Sequence, residues 1–335
     1  MSQPQPTPRL MDQVRSSIRL RNLSKSTEET YAHWIRRFIV FHRMRHPLEM
    51  GEVELERFLS HLAQEQKASA SSQNQALSAV LYLYKYVLDR PLKSHIHALR
   101  AKRSKHIPVV LAPSEIRLLF DRLSGTPLLI AKLLYGSGMR IDECLSLRIH
   151  QLDFHQPGIH IIDGKGLKDR IAMLPHSLIP DLAVHLVRVR RLHRNDLEHN
   201  GGYVVLPAQY HLKNPSASHD FRWQFVFPST KELDAPAPGK RGRWHLHPDT
   251  FRRTLQQAAN NAGLTKRISP HTLRHSFATQ MLASGCNVRL LQSMLGHNSL
   301  KTTMVYAHLV EATRHLVSSP LDQLAISRRG GNSAA

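Results

Sequence analysis

The stretch Pro270-His271-Thr272-Leu273-Arg274-His275 combines three ionisable side chains within one short predicted helix. His271 and Arg274 are three residues apart, so their side chains are neighbours on one helical face and can converge on one ligand. The opposite, core-facing stripe consists of Leu273, Phe277 and Met281. Arg274 is therefore directed at something polar.

A metal site is the alternative interpretation of this helix, because His271 and His275 are four residues apart. No glutamate lies between them, and no Cys/His cluster in the sequence shows the spacing of zinc ligands. The two cysteines, Cys144 and Cys286, fall in apolar helical patterns, which favours reduced core thiols over a disulfide or a metal site. We therefore expect no metal.

A helix break follows at Leu295-Gly296-His297-Asn298-Ser299. Glycine ends one predicted helix and presents His297 at the break, and Ser299 can cap the next helix. That next helix carries Tyr306, which follows Met304 and Val305. From its sequence neighbours alone, Tyr306 is a core or interface residue. A functional role for it depends on the other motifs of the sequence.

Two further cationic residues precede these motifs. In residues 136–140, two glycines lead into a helix start at Arg140, where backbone and guanidinium can approach an anion. Taken alone, Arg140 is by default an ordinary surface arginine. Lys165 lies between two glycines, and the strand-like runs 159–163 and 170–174 on either side predict a β-hairpin.

Together these residue types suit chemistry at a phosphodiester. Arginine forks match the non-bridging oxygens of a phosphate, while histidines and a lysine can move protons. A tyrosine oxygen can attack phosphorus and leave again, which conserves the bond energy in a phosphotyrosine. No acidic pair that would chelate magnesium accompanies the motifs, so the chemistry would depend on cationic side chains. A zinc hydrolase that uses the histidines is the remaining alternative.

The charge of the chain indicates a polyanionic partner. Its 335 residues include 46 Lys plus Arg and 25 Asp plus Glu, a formal net charge of +21. Nucleic acid is the first expectation, because each neutralised phosphate releases condensed counterions. A polybasic membrane surface is the weaker alternative, since the charge is spread along the whole chain. No apolar run approaches the about 18–20 residues of a membrane span, and no secretory signal is evident, so we expect a cytoplasmic location without membrane contact.

Residues 1–92 are predicted to form a small helical bundle that binds DNA. Apolar residues follow a helical period in three segments, and basic residues flank them, Arg36 and Arg37 among them. A bundle with only a structural role is the alternative. Residues 93–111 form a predicted basic linker that is either solvated or follows a phosphate backbone. The linker's candidate DNA contacts are Arg100 and Arg103.

Residues 112–327 form the predicted second domain, with helices on both sides of the hairpin. Residues 195–245 are long and irregular, and compact domains carry such segments when they are functional or contain their own small element. Residues 328–335 are predicted to be a disordered tail.

The motifs, taken in order, resemble the active-site set of the tyrosine recombinase (phage integrase-like) family. The matching residues are Arg140, Lys165, His271, Arg274, His297 and Tyr306. Glu143 matches the acidic position that supports the first arginine in this family. The resemblance covers residues 112–309, and the N-terminal bundle resembles the DNA-clamping domain of the same family.

The resemblance implies a fold that is mainly α with a small β-sheet, arranged as a two-domain, C-shaped clamp on DNA. Arg140 and Arg274 would hold the scissile phosphate, and His297 would hydrogen-bond it. Lys165 would protonate the departing 5′ oxygen, His271 would assist proton transfer at Tyr306, and no cofactor would be needed. Lys168 and Arg170, beside the hairpin, are further DNA-contact candidates.

Within the family, residues 195–245 resemble the insertion of the integron integrases. Those enzymes recombine a cassette site in which a single DNA strand is folded into a hairpin. Their insertion recognises the bases that remain outside this DNA hairpin. Trp223 and His245 are then candidates to contact such bases. A packed core aromatic is the alternative role for Trp223.

The family also implies a homotetramer on paired sites in the bacterial cytoplasm, with the nucleoid. Residues 316–324 have the apolar spacing of a helix that docks on a neighbouring subunit, or packs within its own. Three other functions stay open: a Xer-like or phage integrase on duplex DNA, a type IB topoisomerase, and a DNA-binding regulator that does not cut.

Overall fold

A computed structural model describes four stretches of the chain, residues 9–92, 108–162, 169–234 and 239–313. They divide into two units, one that ends at Leu92 and one that begins at Pro108. The end of the predicted linker already belongs to the second unit, because the buried Leu111 donates its N–H to Ser276 Oγ at 2.9 Å. Arg100, Arg103 and residues 314–335, which include the predicted docking helix and tail, lie outside the described residues.

The N-terminal unit is helical, as the apolar periodicity predicts. Its described α-helices are α1 (Leu10–Leu20), α2 (Lys25–Phe41), α3 (Glu52–Gln64) and α4 (Ala70–Tyr86). The Ser24 side chain caps α2 by accepting the N–H of Thr27. Phe38 of α2 and Phe58 of α3 meet edge to face in the core, with ring centres 5.6 Å apart. Tyr84 is fully buried and donates its hydroxyl to the Pro47 carbonyl at 2.9 Å.

The second unit is mainly helical and carries small antiparallel sheets, so the predicted fold class is confirmed. Its described helices are α5 (Pro113–Phe120), α6 (Gly125–Ser137), α7 (Ile141–Leu145), α8 (Ile179–Glu198), α9 (Ala208–Lys213), α10 (Pro248–Asn261), α11 (Pro270–Ala283), α12 (Val288–Leu295) and α13 (Leu300–Thr313). Its described strands are β1 (Leu152–Asp153), β2 (Gly158–Ile161), β3 (Arg170–Met173), β4 (Leu233–Asp234) and β5 (Arg241–Gly242).

The predicted hairpin is confirmed by the pairing of β2 with β3. The three-stranded sheet has the order β1-β2-β3, and Ile161 of β2 lies opposite Arg170 of β3. The segment that joins these strands carries Lys165 and Lys168, and both lie outside the described residues.

Helix α11 lies in the middle of the second unit, between α6 and α13. Leu273 and Phe277 of its predicted apolar stripe are buried, and Met281 packs at the edge of the same core. Within the described ranges, none of the helices combines the length and apolar character that a membrane crossing requires.

Residues 195–245 have their own small apolar cluster of Val204, Leu206 and Phe225, with Trp223 packed against it. A buried ion pair holds this segment to α8, because Arg243 donates to both carboxylate oxygens of Asp196, at 2.7 and 2.8 Å. Strands β4 and β5 pair within it. The segment therefore contains an element of its own, as its length predicts.

Gly138 ends α6 in the left-handed conformation, with φ of +67°, and it has no room for a side chain. A Cβ there would clash with the Phe277 ring and lie 2.9 Å from Leu295. We expect Gly138→Ala to lower the free energy of unfolding by roughly 2–4 kcal/mol, since left-handed strain and overpacking add.

Chemical denaturation measures this effect, and Gly263→Ala is its matched control. Gly263 has the same φ of +67°, but nothing lies within 4 Å of its added Cβ. The control should lose only the backbone component, about 1–2 kcal/mol. Equal losses for the two variants would contradict the packing argument.

Candidate active site

Four of the residues singled out in the sequence come together in the second unit. Arg140 stands at the N-cap of α7, directly after the tight end of α6 at Gly138. Arg274 lies in α11, and His297 follows the glycine that ends α12. Tyr306 lies in α13, with its ring stacked on that of His297 at a centroid distance of 6.2 Å.

The Arg274 side chain is buried, with 4% of its surface exposed, and it joins two helix ends. It donates to the carbonyls of Gly138 at 2.7 Å and Leu295 at 2.8 Å, and to His297 Nε2 at 3.0 Å. Burial, followed by the charge of Arg140, lowers the pKa of Arg274 to about 10, so it stays cationic at neutral pH. A guanidinium has five N–H donors. Two therefore remain after these three bonds to described residues, and they can serve an anion.

His297 is held in one tautomer by its two neighbours. An arginine can only donate, so Nε2 accepts from Arg274 and the ring proton lies on Nδ1. Nδ1 then donates to Thr303 Oγ1 at 2.9 Å. Burial, and then the charges of Arg274 and Arg140, lower the pKa of His297 to about 4. The imidazole is therefore neutral at physiological pH.

Glu143 carries a carboxylate that two guanidiniums share. Arg170 donates to it at 3.0 and 2.6 Å, and Arg140 donates its side chain at 2.7 Å and its backbone N–H at 2.8 Å. Burial alone would raise the pKa of Glu143, but these hydrogen bonds outweigh it and lower the pKa to about 2. Glu143 thus supports Arg140, which also donates to the Gly296 carbonyl at 3.2 Å.

Arg170 is engaged inside the protein. Besides its bonds to Glu143, it donates Nε–H to the Met294 carbonyl at 3.1 Å, and only 9% of its side chain is exposed. Its aliphatic part also explains the glycine at 296, where a Cβ would lie 2.9 Å from Arg170 Cδ. The sequence predicted a DNA contact for Arg170, and the structure shows it joining β3, Glu143 and the end of α12.

The Tyr306 hydroxyl lies 2.9 Å from His275 Nδ1, a contact that the sequence analysis missed. Only 3% of Tyr306 is exposed. Burial raises the pKa of the Tyr306 phenol, and the charges of Arg274 and Arg140 act in the opposite direction. The sequence pattern suggested only one role for His275, that of a metal ligand together with His271. The sequence feature that could have indicated its place in the site is its position directly after Arg274.

His271 lies one helical turn before His275 and is exposed. Their ring centres are 6.3 Å apart, and no hydrogen bond joins His271 to Tyr306 in the described part of the chain. Burial against neighbouring atoms, and then the charge of Arg274, lowers the pKa of His271. Among the described residues, no group of three or more His, Cys, Asp or Glu side chains could hold a metal ion.

The predicted DNA contacts of the insertion form an aromatic surface. The half-buried Trp223 ring lies 4.4 Å, centre to centre, from both His150 and Tyr210. Arg148 fixes the Trp223 backbone by donating to its carbonyl at 2.6 Å. His245 packs edge to face against Phe225, with ring centres 5.4 Å apart, and its Nδ1 donates to the Leu246 carbonyl at 2.9 Å.

In the N-terminal unit, Arg36 is exposed, whereas Arg37 lies over the Trp34 ring, with its guanidinium carbon 4.7 Å from the ring centre, and donates to Gln66. Arg36 is therefore the more accessible of the two for a phosphate.

The fold and the cationic cluster around a tyrosine define the class of tyrosine recombinases. The model of the phage integrase family matches residues 110–313, and that of the phage integrase N-terminal SAM-like domain matches residues 10–94. The chain therefore belongs to the phage integrase family, and it is a tyrosine site-specific recombinase.

Its relatives agree with this assignment. An integrase/recombinase of Escherichia coli is 43% identical over 318 residues, which cover 94% of each chain. The tyrosine recombinase XerD of Rhizobium meliloti is 32% identical and covers 78% of this chain and 77% of its own.

Two solved structures share the fold at lower identity. A lambda integrase dimer bound to a COC′ core site has a TM-score of 0.58 at 16% identity, covering 89% of this chain and 93% of its own. The Tn1549 transposon integrase in complex with transposon right end DNA has a TM-score of 0.58 at 14% identity, covering 97% and 99%.

The buried carboxylate of Glu143 gives a testable pH dependence. Its pKa falls from an ordinary 4.5 to about 2 on folding, so its contribution to stability is present above pH 4.5 and declines as the pH falls towards 2. We expect Glu143→Gln to lower the free energy of unfolding at pH 7 by about 3 kcal/mol.

Urea unfolding of both proteins between pH 7 and pH 3 checks this expectation. The difference should stay constant down to about pH 4.5 and shrink below it. Glu65→Gln is the control, because 72% of the Glu65 side chain is exposed, and its effect should stay within about 0.5 kcal/mol. A difference that already fades between pH 7 and pH 5 would rule the carboxylate out as its source.

Proposed function

We propose that this recombinase cuts and rejoins DNA through a 3′-phosphotyrosyl link at Tyr306, and that it is an integron integrase. One observation supports the chemistry above the others. The Tyr306 ring is stacked on His297, which accepts a hydrogen bond from the buried Arg274, and Arg274 keeps two N–H donors beyond its bonds to described residues. Nucleophile and anion-binding groups thus share one site.

In this proposal, Arg140 and Arg274 bind the scissile phosphate and offset the charge of the pentacoordinate transition state. Removing one such donor typically costs about 3–4 kcal/mol of transition-state stabilisation. His297 would hydrogen-bond the phosphate by exchanging its present bonds to Arg274 and Thr303 for one to a phosphate oxygen. Glu143, itself bound by Arg170, holds Arg140 in place. This supporting role explains why a buried carboxylate lies next to a site that binds an anion.

Protons move through the remaining residues of the set. Lys165 would protonate the departing 5′ oxygen. Strand β3, which follows Lys165 in the sequence, begins with Arg170, and Arg170 contacts Glu143 in the site. His271 would assist proton transfer at Tyr306 from the preceding turn of α11. A 5′ hydroxyl then attacks the phosphotyrosine, so the phosphodiester bond energy is conserved and neither a metal nor a nucleotide is consumed.

The integron assignment is supported by the aromatic surface of residues 195–245. Tyr210 and Trp244 of this segment expose 37% and 46% of their surface, and the half-buried Trp223 ring lies against Tyr210. Successive unpaired bases stack on such rings without strict sequence preference. A folded single strand with bases outside its helix fits this surface, with Trp223 and His245 as contacts. Lys168, Arg36, Arg100 and Arg103 would add phosphate contacts.

A Xer-like recombinase that acts on duplex DNA is the second candidate. The 32% identity to a XerD protein over 78% of this chain favours it. Both candidates require DNA as the partner, a homotetramer on paired sites, and a place in the bacterial cytoplasm with the nucleoid. They differ in the form of DNA that is cleaved.

A covalent adduct tests the chemistry. We expect the full chain to form a denaturation-resistant adduct with short nicked duplexes that carry a randomised segment, because the nick releases the cleaved fragment. Tyr306→Phe should abolish the adduct, and a metal chelator should leave it unchanged. Denaturing gels and sequencing of the trapped DNA supply the readout. If the folded wild-type protein binds the DNA yet forms no adduct, it is a regulator and the proposed chemistry is wrong.

A second prediction concerns the form of the DNA. We expect Trp223→Ala to weaken binding of a hairpin strand with unpaired bases by roughly 5- to 150-fold, since stacking contributes about 1–3 kcal/mol per base. Binding of the same sequence as a complete duplex should not change. Trp223→Phe, which keeps a flat ring, is the matched control and should retain most of the affinity. Equal losses on both forms of DNA would favour the Xer-like candidate.

A further inference from the structure

Three histidines lie around the Tyr306 hydroxyl, and only one of them is placed to take its proton. His275 Nδ1 is 2.9 Å from the phenol oxygen. His297 has both ring nitrogens engaged, Nε2 with Arg274 and Nδ1 with Thr303. His271 is a further turn away along α11, with no hydrogen bond to the phenol among the described residues. The geometry therefore selects His275 as the direct acceptor of the proton, and the assistance proposed for His271 would be indirect, through its effect on the neighbouring His275.

We infer that His275 accepts the phenol proton of Tyr306 during strand cleavage and returns it during rejoining. The inference rests on the proposed function and adds a catalytic residue to it. In cleavage, the O–H bond of Tyr306 breaks and an N–H bond forms at Nδ1, while the phenol oxygen bonds to phosphorus. The bond from phosphorus to the 5′ oxygen breaks, and that oxygen takes a proton from Lys165. Rejoining reverses each of these transfers.

The surroundings of His275 make this base responsive to DNA. The titratable and charged groups that face it are His271 and Arg274 of α11, Tyr306 of α13, and His297 between α12 and α13. Burial, then His271 and Arg274, lower the pKa of His275 to about 4, so the ring is neutral and its Nδ1 lone pair can receive a proton. A phosphate bound to Arg274 offsets part of that positive charge. The basicity of His275 therefore rises when the substrate phosphate arrives.

His275→Asn tests the inference, because an amide can occupy the hydrogen-bonding position of Nδ1 but cannot take a proton at neutral pH. We expect adduct formation at pH 7, on the nicked duplexes trapped by the wild-type protein, to slow by roughly 10²–10⁴-fold. The affinity for those duplexes should be unchanged. His199→Asn, an exposed histidine just past α8, is the matched control and should keep the wild-type rate.

A more acidic nucleophile separates proton transfer from positioning. Incorporation of a fluorinated tyrosine at position 306 lowers the phenol pKa and removes much of the need for a base. The deficit of His275→Asn should then shrink, and its rate with ordinary tyrosine should keep rising at alkaline pH as the phenol ionises. A deficit that is equal for both nucleophiles would mean that His275 only positions the ring, and the inference would be wrong.

The two proposals fail in different ways. If the wild-type protein forms no adduct, the proposed function fails before His275 is tested. If the wild-type protein forms the adduct and His275→Asn matches its rate, the role of His275 alone is overturned. Circular dichroism and thermal unfolding of His275→Asn establish that a slow variant is folded.

Discussion

The buried guanidinium of Arg274 is the constraint on which the second unit depends. A charge removed from water is tolerated only when its donors are paired. Arg274 meets this requirement in part. It donates to the carbonyls of Gly138 and Leu295, which end α6 and α12 and have no further partner within their own helices, and to His297, while its two remaining donors are left for an anion. One side chain thereby fixes two helix ends next to α11. Those two ends also carry Arg140 and His297, so satisfying Arg274 assembles the site.

The carboxylate of Glu143 offsets the electrostatic repulsion between the neighbouring guanidiniums of Arg140 and Arg170. Arg140 and Arg170 both donate to Glu143, whose pKa of about 2 keeps the carboxylate charged throughout the physiological range. The carboxylate is buried against those two donors, and Arg274 lies beyond it with unused N–H groups. The three arginines therefore have different surroundings. Arg170 and Arg140 share the carboxylate of Glu143, whereas Arg274 is held by the backbone carbonyls of Gly138 and Leu295.

The sequence predicted the parts of the site that spacing encodes. Arg140, Arg274 and His297 stand next to glycines or on a helical face, and local periodicity places such residues before any tertiary contact is known. Contacts between distant segments were not accessible in this way. Arg170 resembled a DNA contact because a charged residue beside a hairpin usually faces solvent, and its partner Glu143 is 27 positions away. The bond between His275 and Tyr306 likewise depends on how α11 packs against α13, which no spacing within either helix reveals.

Burial of Tyr306, the proposed nucleophile, would link its reactivity to the presence of DNA. With 3% of Tyr306 exposed, its phenol is shielded from water, and burial raises the pKa of that phenol. In the proposed mechanism, the phenol keeps its proton until a base takes it. In the same proposal, a phosphate bound to Arg274 would reduce the positive charge acting on His275, so the basicity of His275 would rise as the scissile phosphate arrives. Because the buried phenol is shielded from bulk water, the proposal requires a base inside the protein, and within the described residues the imidazole of His275 is the group in contact with the phenol oxygen.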